Sequence, residues 1–246
     1  ESITIPATVT EIGNDAFTNC TKLKSITFAE SSTPLTIGFN DDSDDDGPFY
    51  NSPLEKVVLN RELNYTFSSP ANASEGVFGN KTTLISVTLG DNVKTLSPYM
   101  FANSAVKSMD LNKVTTVGDY AFYNNAALES VNLRQVKTIG KGAFEGASKI
   151  TTLDIPASVT SIADFAFKNC SQLATLNFVS GSDDLVIGFQ PEGTDQHGPF
   201  YQSPLTDISV NRSLVLTEAY AAACDAVDEG IFSTEKGSQN TTITLG

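Results

Sequence analysis

The sequence has little of the chemistry on which most enzymes depend. It holds one histidine, His197, three cysteines and no tryptophan among its 246 residues. Catalytic triads and zinc sites need histidine or cysteine with partners within reach, and His197 has no second histidine and no cysteine near it in sequence. Glycosidases need only two carboxylates, but tryptophan, a common builder of sugar subsites, is missing. We therefore expect no enzymatic activity and no cofactor.

Positive charge and long apolar runs are also scarce. Fifteen Lys and Arg stand against 29 Asp and Glu, which gives a net charge of −14 at pH 7. A chain this acidic is repelled by the phosphates of nucleic acids and by anionic membrane surfaces. The sequence contains no apolar run of the length, about 18 residues, that spans a bilayer. We therefore expect neither nucleic-acid binding nor membrane insertion.

The dominant feature of the sequence is a repeat. A phenylalanine recurs every 21 to 33 residues, and an apolar-x-apolar pair follows each one. Apolar residues at alternate positions indicate a strand with one buried face. Such strands at near-regular intervals are typical of a solenoid, in which each repeat buries its apolar face against its neighbours. The phenylalanines are Phe17, Phe49, Phe78, Phe101, Phe122, Phe144, Phe167, Phe200 and Phe232. The pairs are Ile3/Ile5, Ile26/Phe28, Val57/Leu59, Val87/Leu89, Met109/Leu111, Val131/Leu133, Leu153/Ile155, Leu176/Phe178, Ile208/Val210 and Ile243/Leu245.

A larger period is superimposed on this repeat. Residues 3–28 match residues 153–178, and GPFYNSPL at 47–54 matches GPFYQSPL at 198–205. Asn60-Arg61 and Asn211-Arg212 match as well. Two irregular repeats have therefore been copied together as a block.

The copied blocks differ from the other repeats because they carry insertions. The insertions fall within 29–77 and within 179–231, whereas regular repeats occupy 90–178. The unbroken repeat predicts a single domain over residues 1–246. The chain begins inside a repeat and ends just after a strand, so we expect flanking sequence in the full protein. The alternative is a mature chain that begins at Glu1.

The motif I-P-x-x-V-T-x-I-G-x-x-A-F-x-N-C resembles the BspA-like leucine-rich repeats of bacterial surface proteins. Runs such as VTTVGDYAF (114–122), VKTIGKGAF (136–144) and VTSIADFAF (159–167) carry the resemblance. It implies a leucine-rich-repeat right-handed solenoid, a β-rich α/β superhelix with a parallel concave sheet of about ten rungs. Its convex side would carry short strands and brief helical turns. The resemblance also implies a secreted or cell-surface protein, typically an adhesin. The insertions depart from the family pattern.

An acidic run, DDSDDDG, is the sharpest local motif. Asp42, Asp44 and Asp46, followed by a glycine, fit the first half of a calcium loop. The last position of such a loop is Glu, but here it is Pro53, and the copied loop at 190–198 lacks the alternating carboxylates. We therefore expect a solvated loop that binds Ca²⁺ weakly at most and is not required for folding.

Aromatic residues of the insertions are the best candidates for binding. Protein-binding hot spots favour Tyr, Trp and Arg, and loops on a rigid scaffold often carry function. The outward residues of the long strands, such as Thr152 and Asp154, are small and polar instead. We expect both pairs of insertions to project from one edge, with exposed aromatics. The candidate residues are Tyr65, Phe67, Tyr220, Tyr50 and Tyr201, and Tyr65 and Tyr220 are the strongest of them.

These observations predict a non-enzymatic cell-surface or secreted adhesion module. It would act as a monomer and recognise an extracellular protein or glycan of a host or a microbe. The alternative is a structural spacer that holds another domain away from the cell surface, and the polar outer faces of the strands favour it. A carbohydrate-active enzyme is a third class, which would require a cleft with paired carboxylates.

Overall fold

The computed structural model describes residues 1–38, 47–66, 72–188, 198–216, 232 and 242–246. Within them the chain forms nineteen strands, which alternate between a long and a short one. Each of the ten predicted apolar pairs lies on or at the end of a long strand, so the predicted register is confirmed. The long strands are β1 (Ser2–Ile5), β3 (Ser25–Phe28), β5 (Lys56–Leu59), β7 (Ser86–Leu89), β9 (Ser108–Asp110), β11 (Ser130–Asn132), β13 (Thr152–Ile155), β15 (Thr175–Phe178), β17 (Asp207–Val210) and β19 (Thr242–Leu245).

The short strands run along a second side of the molecule. They are β2 (Glu11–Ile12), β4 (Leu35–Ile37), β6 (Leu63–Tyr65), β8 (Thr95–Leu96), β10 (Thr116–Val117), β12 (Thr138–Ile139), β14 (Ser161–Ile162), β16 (Leu185–Ile187) and β18 (Leu214–Leu216). Each of the first nine repeats therefore contributes one long strand and one short strand, and the tenth contributes β19 alone. We number these repeats as rungs 1 to 10 by their long strands.

All strand pairs are parallel and join neighbouring rungs at equivalent positions. Ile3 pairs with Ile26, and Ile26 pairs with Val57. The long strands form three sheets in succession, β1-β3-β5-β7, then β9-β11, then β13-β15-β17-β19. The short strands form a three-stranded sheet, β2-β4-β6, and a six-stranded sheet from β8 to β18. The structure is a leucine-rich-repeat solenoid, in which the predicted ten-rung sheet is divided into three hydrogen-bonded parts.

The turns lie between each short strand and the next long strand. The prediction of brief helical turns here is wrong for the described residues. These segments are successive turns, and the only helix among the described residues is a 3-10 turn at Ala73–Glu75. These turns contain residues with left-handed backbone, as at Tyr120 (φ 55°) and Asn124 (φ 54°) on either side of Phe122. Asparagine tolerates this conformation well. It takes the second left-handed position in six turns, at Asn19, Asn51, Asn80, Asn103, Asn124 and Asn169.

The phenylalanines form a continuous ladder in the core, as predicted. The rings of Phe122, Phe144 and Phe167 are fully buried, and each stacks on the next at 5.2 Å between centroids with 5° between planes. The buried apolar cluster extends from Ile5 to Ile208. No rung could bury this surface alone, so stacking supplies most of the stability of the array.

Two buried arginines tie successive rungs together. Arg61 is 0% exposed, and its Nη1 donates to the carbonyl of Val9 at 2.9 Å. Its Nε and Nη2 donate to the carbonyl of Thr33 at 3.1 and 2.8 Å. Nη1 and Nη2 of Arg212 make the corresponding bonds to the carbonyls of Val159 and Asp183 at 2.8 and 2.5 Å. Each arginine thus links its own rung to the two rungs that directly precede it.

The first two insertions lie side by side, as expected. The amide of Gly47 in one donates to the carbonyl of Ser74 in the other at 2.9 Å. Both also contain a regular short strand, β4 or β6, so the additional residues are concentrated between that strand and the ladder phenylalanine. Their contact is tight, because a Cβ on Gly47 of the first insertion would lie 2.7 Å from the carbonyl oxygen of Gly76 in the second. Only glycine permits this approach.

Candidate functional site

Aromatic side chains that reach the surface gather on the turns rather than on the strands. When the rungs are aligned on the ladder phenylalanine, the residue directly after it and the residue two before it both point outward in several turns. We refer to the surface that these residues form as the turn face. Its aromatic residues are Tyr50, Tyr123 and Tyr201 at the first position and Tyr99, Tyr120 and Phe165 at the second, and all six are exposed or half-buried.

A groove of about 380 Å³ opens on the turn face beside Tyr50. Tyr50, with 46% of its surface exposed, stands at one side of it. The next rung carries Gly79 at the position equivalent to Tyr50, so no side chain fills the space there. The groove is lined by Thr21, Gly47, Tyr50, Asn51, Ser52, Pro53, Ser74, Gly79, Asn80, Lys81, Thr82 and Thr83.

The polar groups of the groove are held by bonds to adjacent rungs. Nδ2 of Asn51 donates to Oδ1 of Asn19 at 2.8 Å, and Oδ1 of Asn80 accepts from Nδ2 of Asn103 at 2.6 Å. These bonds fix the orientation of both amides. Lys81, almost fully buried, adds a positive charge to the lining. The groove therefore combines fixed amides, a cation and one exposed ring, which suits a polar ligand with some apolar surface.

Of the candidate residues in the first block, one lies at this groove and one is buried. Tyr50 is exposed, as expected. The expectation that Tyr65 is exposed is wrong, because only 8% of it is accessible and its hydroxyl donates to the carbonyl of Glu75 at 2.6 Å. Alternation along β6 turns Tyr65 and Leu63 toward the core. Burial, together with the Glu75 carboxylate, raises the pKa of Tyr65. Phe67 lies outside the described residues.

The second block shows less of its candidate site. Tyr201 is half-buried and occupies the position equivalent to Tyr50. Tyr220 lies outside the described residues, as do His197 and the proposed calcium loop with Asp42, Asp44 and Asp46. In the part of the chain that is described, no three His, Cys, Asp or Glu side chains are grouped so that they could hold a metal ion.

A cluster of three tyrosines is the second distinctive part of the turn face. The rings of Tyr99 and Tyr120 stack at 4.9 Å with 13° between planes. Tyr123 meets both edge-on, at 6.3 Å from Tyr99 and 5.8 Å from Tyr120. These tyrosines lie outside the insertions, so they were not among the predicted binding residues. Aligning the rungs on Phe101 and Phe122 would have placed the three tyrosines together.

The outward face of the long strands is polar, as expected. Thr152 and Asp154 are exposed there, and Nδ2 of Asn177 donates to Oδ1 of Asp154 at 2.8 Å. Such bonds satisfy the polar side chains of one rung with those of the next. This face offers a ligand fewer aromatic anchors than the turn face does.

Comparison with known proteins is consistent with this architecture. A leucine-rich repeat protein from Bacteroides ovatus aligns over 99% of this chain and 68% of its own, with 18% identity and a TM-score of 0.54, which shows the shared fold. A leucine-rich repeat protein from Eubacterium ventriosum aligns over 99% and 74%, with 19% identity and a TM-score of 0.35. A leucine rich cell surface protein from Faecalibacterium prausnitzii aligns over 93% and 82%, with 17% identity and a TM-score of 0.27. A search of curated proteins found no match.

Among the described residues, no helix has the length and apolar character needed to cross a bilayer.

The family follows from the sequence comparison. The model of the BspA type leucine rich repeat region matches in six copies, over residues 1–73 and 45–174. The match covers most of the chain and includes the runs that carried the resemblance. The chain belongs to the BspA-type leucine-rich repeat family.

Proposed function

We propose that this chain is a non-enzymatic binding module of a bacterial cell surface or secreted protein. It captures an extracellular protein or glycan in the groove beside Tyr50. The observation that carries the proposal is an exposed tyrosine at the rim of a polar groove on a stacked scaffold. Membership of the BspA-type family supports a surface location and a binding role.

The groove has the features of a modest recognition site. Its volume of about 380 Å³ lies within the range of about 300–1,000 Å³ typical of ligand pockets. Tyrosine supplies an apolar ring and a hydroxyl at low conformational cost. The amides of Asn51 and Asn80 and the ammonium of Lys81 offer hydrogen bonds to ligand hydroxyl, carbonyl or carboxylate groups.

A second copy of the site would compensate for a modest affinity at the first. The block with Tyr201 repeats the GPFY-x-SPL motif of Tyr50 six rungs further along. At about 4.8 Å per rung the two tyrosines stand about 29 Å apart. Two weak sites at this distance act together on a repetitive ligand through effective concentration.

The proposal is tested by a binding screen with matched variants. The purified chain is applied to immobilised matrix proteins, mucins and glycans, and each bound species is measured again with Tyr50→Ala and with Thr152→Ala. Alanine already occupies the position of Tyr50 in rung 4, at Ala102, so the turn tolerates it. We expect Tyr50→Ala to weaken binding about tenfold or more, and Thr152→Ala to leave it unchanged. A larger loss with Thr152→Ala would place the binding surface on the long strands instead.

A structural spacer is the alternative function, and two observations favour it. The long-strand face is polar, and Arg61 and Arg212 each make hydrogen bonds across three successive rungs. A spacer would bind nothing through Tyr50. Removal of the whole spacer from the full protein would reduce adhesion by another domain without changing the affinity of that domain for its ligand in solution.

A further inference from the structure

Three turns hold bulky aromatic residues in a backbone conformation that disfavours them. Tyr99, Tyr120 and Phe165 adopt φ of 52°, 55° and 55°. The equivalent positions in other turns are held by Asp15 and Gly142, also at 55°, and such residues enter this region more readily. The turn therefore forms without an aromatic side chain. The presence of an aromatic residue at this position in three rungs indicates that the ring has a role other than forming the turn.

The rings of rungs 4 and 5 are arranged as one surface. Tyr99 stacks on Tyr120, and Tyr123 closes the pair edge-on. The Tyr120 ring in turn lies against Gly142, where a Cβ would be 2.2 Å from the ring carbon Cε1. Glycine at 142 thus leaves room for the cluster, and the three half-buried rings are locked in position by their neighbours.

Several carboxylates lie near this cluster. Burial, the two neighbouring tyrosines and the carboxylates of Glu145 and Glu75 raise the pKa of Tyr99 to about 12. Asp119, which directly precedes Tyr120, is exposed. Aromatic faces also carry partial negative charge. Glu145 is paired with Lys168 and Glu75 is buried, so the ring faces and the exposed Asp119 carboxylate are the groups that remain for an added cation.

The neighbouring end of the turn face already shows this recognition within the chain. Nζ of Lys168 lies 4.7 Å from the centroid of the Phe165 ring and 3.2 Å from Oε1 of Glu145. Nζ of Lys141 lies 5.8 Å from the same ring. An aromatic ring in the left-handed position and the Glu145 carboxylate thus hold an ammonium group together.

We propose that the cluster of Tyr99, Tyr120 and Tyr123 binds basic side chains, arginine above all, from a segment of an extracellular protein. The guanidinium plane stacks on aromatic rings and is more weakly hydrated than an ammonium group. The net charge of −14 attracts a basic segment over a longer range. This site is separate from the groove beside Tyr50 and goes beyond the function proposed for it.

The test uses a short synthetic peptide of alternating arginine and serine, with a glutamine peptide of the same length as control. The chain has no tryptophan, so binding is followed by the fluorescence of its seven tyrosines, three of which form the cluster. The deciding variant is Tyr123→Ala, because rung 4 carries Ala102 at the equivalent position. A second variant, Tyr99→Gly, copies the residue of rung 6, Gly142. Neither variant changes the net charge.

We expect the arginine peptide to bind the wild-type chain at physiological salt and the glutamine peptide not to bind. Tyr123→Ala should weaken the Kd about five- to tenfold, and Tyr99→Gly by a similar factor. Tyr50→Ala should leave the Kd unchanged, which separates this site from the groove. Equal Kd values for wild type and Tyr123→Ala, with both folded by circular dichroism, would overturn the proposal in favour of general charge attraction. Absence of arginine-peptide binding to the wild-type chain would overturn it as well.

Discussion

Replacement of Phe144 by alanine tests whether the phenylalanine ladder is the main stabiliser of the solenoid. The Phe144 ring is 0% exposed and stacks on Phe122 and on Phe167, in both cases at 5.2 Å and 5°. Truncation of a buried phenylalanine costs about 3–5 kcal/mol through lost burial and the remaining cavity. Two stacked pairs are lost as well, each worth about 0.5–1.5 kcal/mol. We therefore expect a loss toward the upper end of that range.

The measurement is equilibrium unfolding in urea, followed by far-UV circular dichroism and by tyrosine fluorescence. The control is Tyr123→Ala, which removes a half-buried ring from the neighbouring turn and should cost less than about 1.5 kcal/mol. Coincidence of the two probes is checked first, because a repeat array can unfold in parts. A loss below about 1 kcal/mol for Phe144→Ala would refute the reasoning, since a ring with two stacked partners would then contribute little.

Two further predictions concern the buried polar groups. Arg61→Ala should cost about 2–4 kcal/mol in urea unfolding, because it removes a fully buried side chain and its hydrogen bonds to the carbonyls of Val9 and Thr33; a loss below about 1 kcal/mol would contradict this. At high pH, burial keeps the Cys170 thiol protonated by raising its pKa from 9.0 to about 12. The pKa of Tyr99 is likewise raised from 10.0 to about 12, chiefly by burial. The unfolded chain releases these protons first, so stability is full below about pH 9 and falls as the pH rises toward 12. Thermal melts between pH 8 and pH 11 should show a declining Tm, and a constant Tm would contradict this.

The fold was predictable because its signal is repeated. Ten apolar pairs with period two gave the ten long strands, and the recurrent phenylalanine gave the core ladder. The alternation in β6 also contained enough information to bury Tyr65, but a tyrosine in an insertion was interpreted as a loop residue. The interruptions of the long-strand sheet were not predictable, because the apolar pairs continue across them without a break.

The candidate site was less predictable because it depends on distances between rungs. Tyr50 was identified from composition, but its groove exists because Gly79 follows it one rung later. The tyrosine cluster joins Tyr99 to Tyr120 and Tyr123, which are 21 and 24 positions further along, and only the stacking of the two rungs brings them together. Arg61 and Arg212 were found as part of a copied motif, but their role required the positions of carbonyls two rungs away.

The arginine links alter how the solenoid responds to mechanical load. In a simple repeat array each rung interacts only with its nearest neighbours, so a pulling force detaches rungs one at a time. Arg61 couples rung 3 to rung 1, and Arg212 couples rung 9 to rung 7. Detachment of the outermost rung of either block must therefore also break hydrogen bonds made two rungs away. The two copied blocks should yield under tension as whole units, while the rungs between them separate one by one.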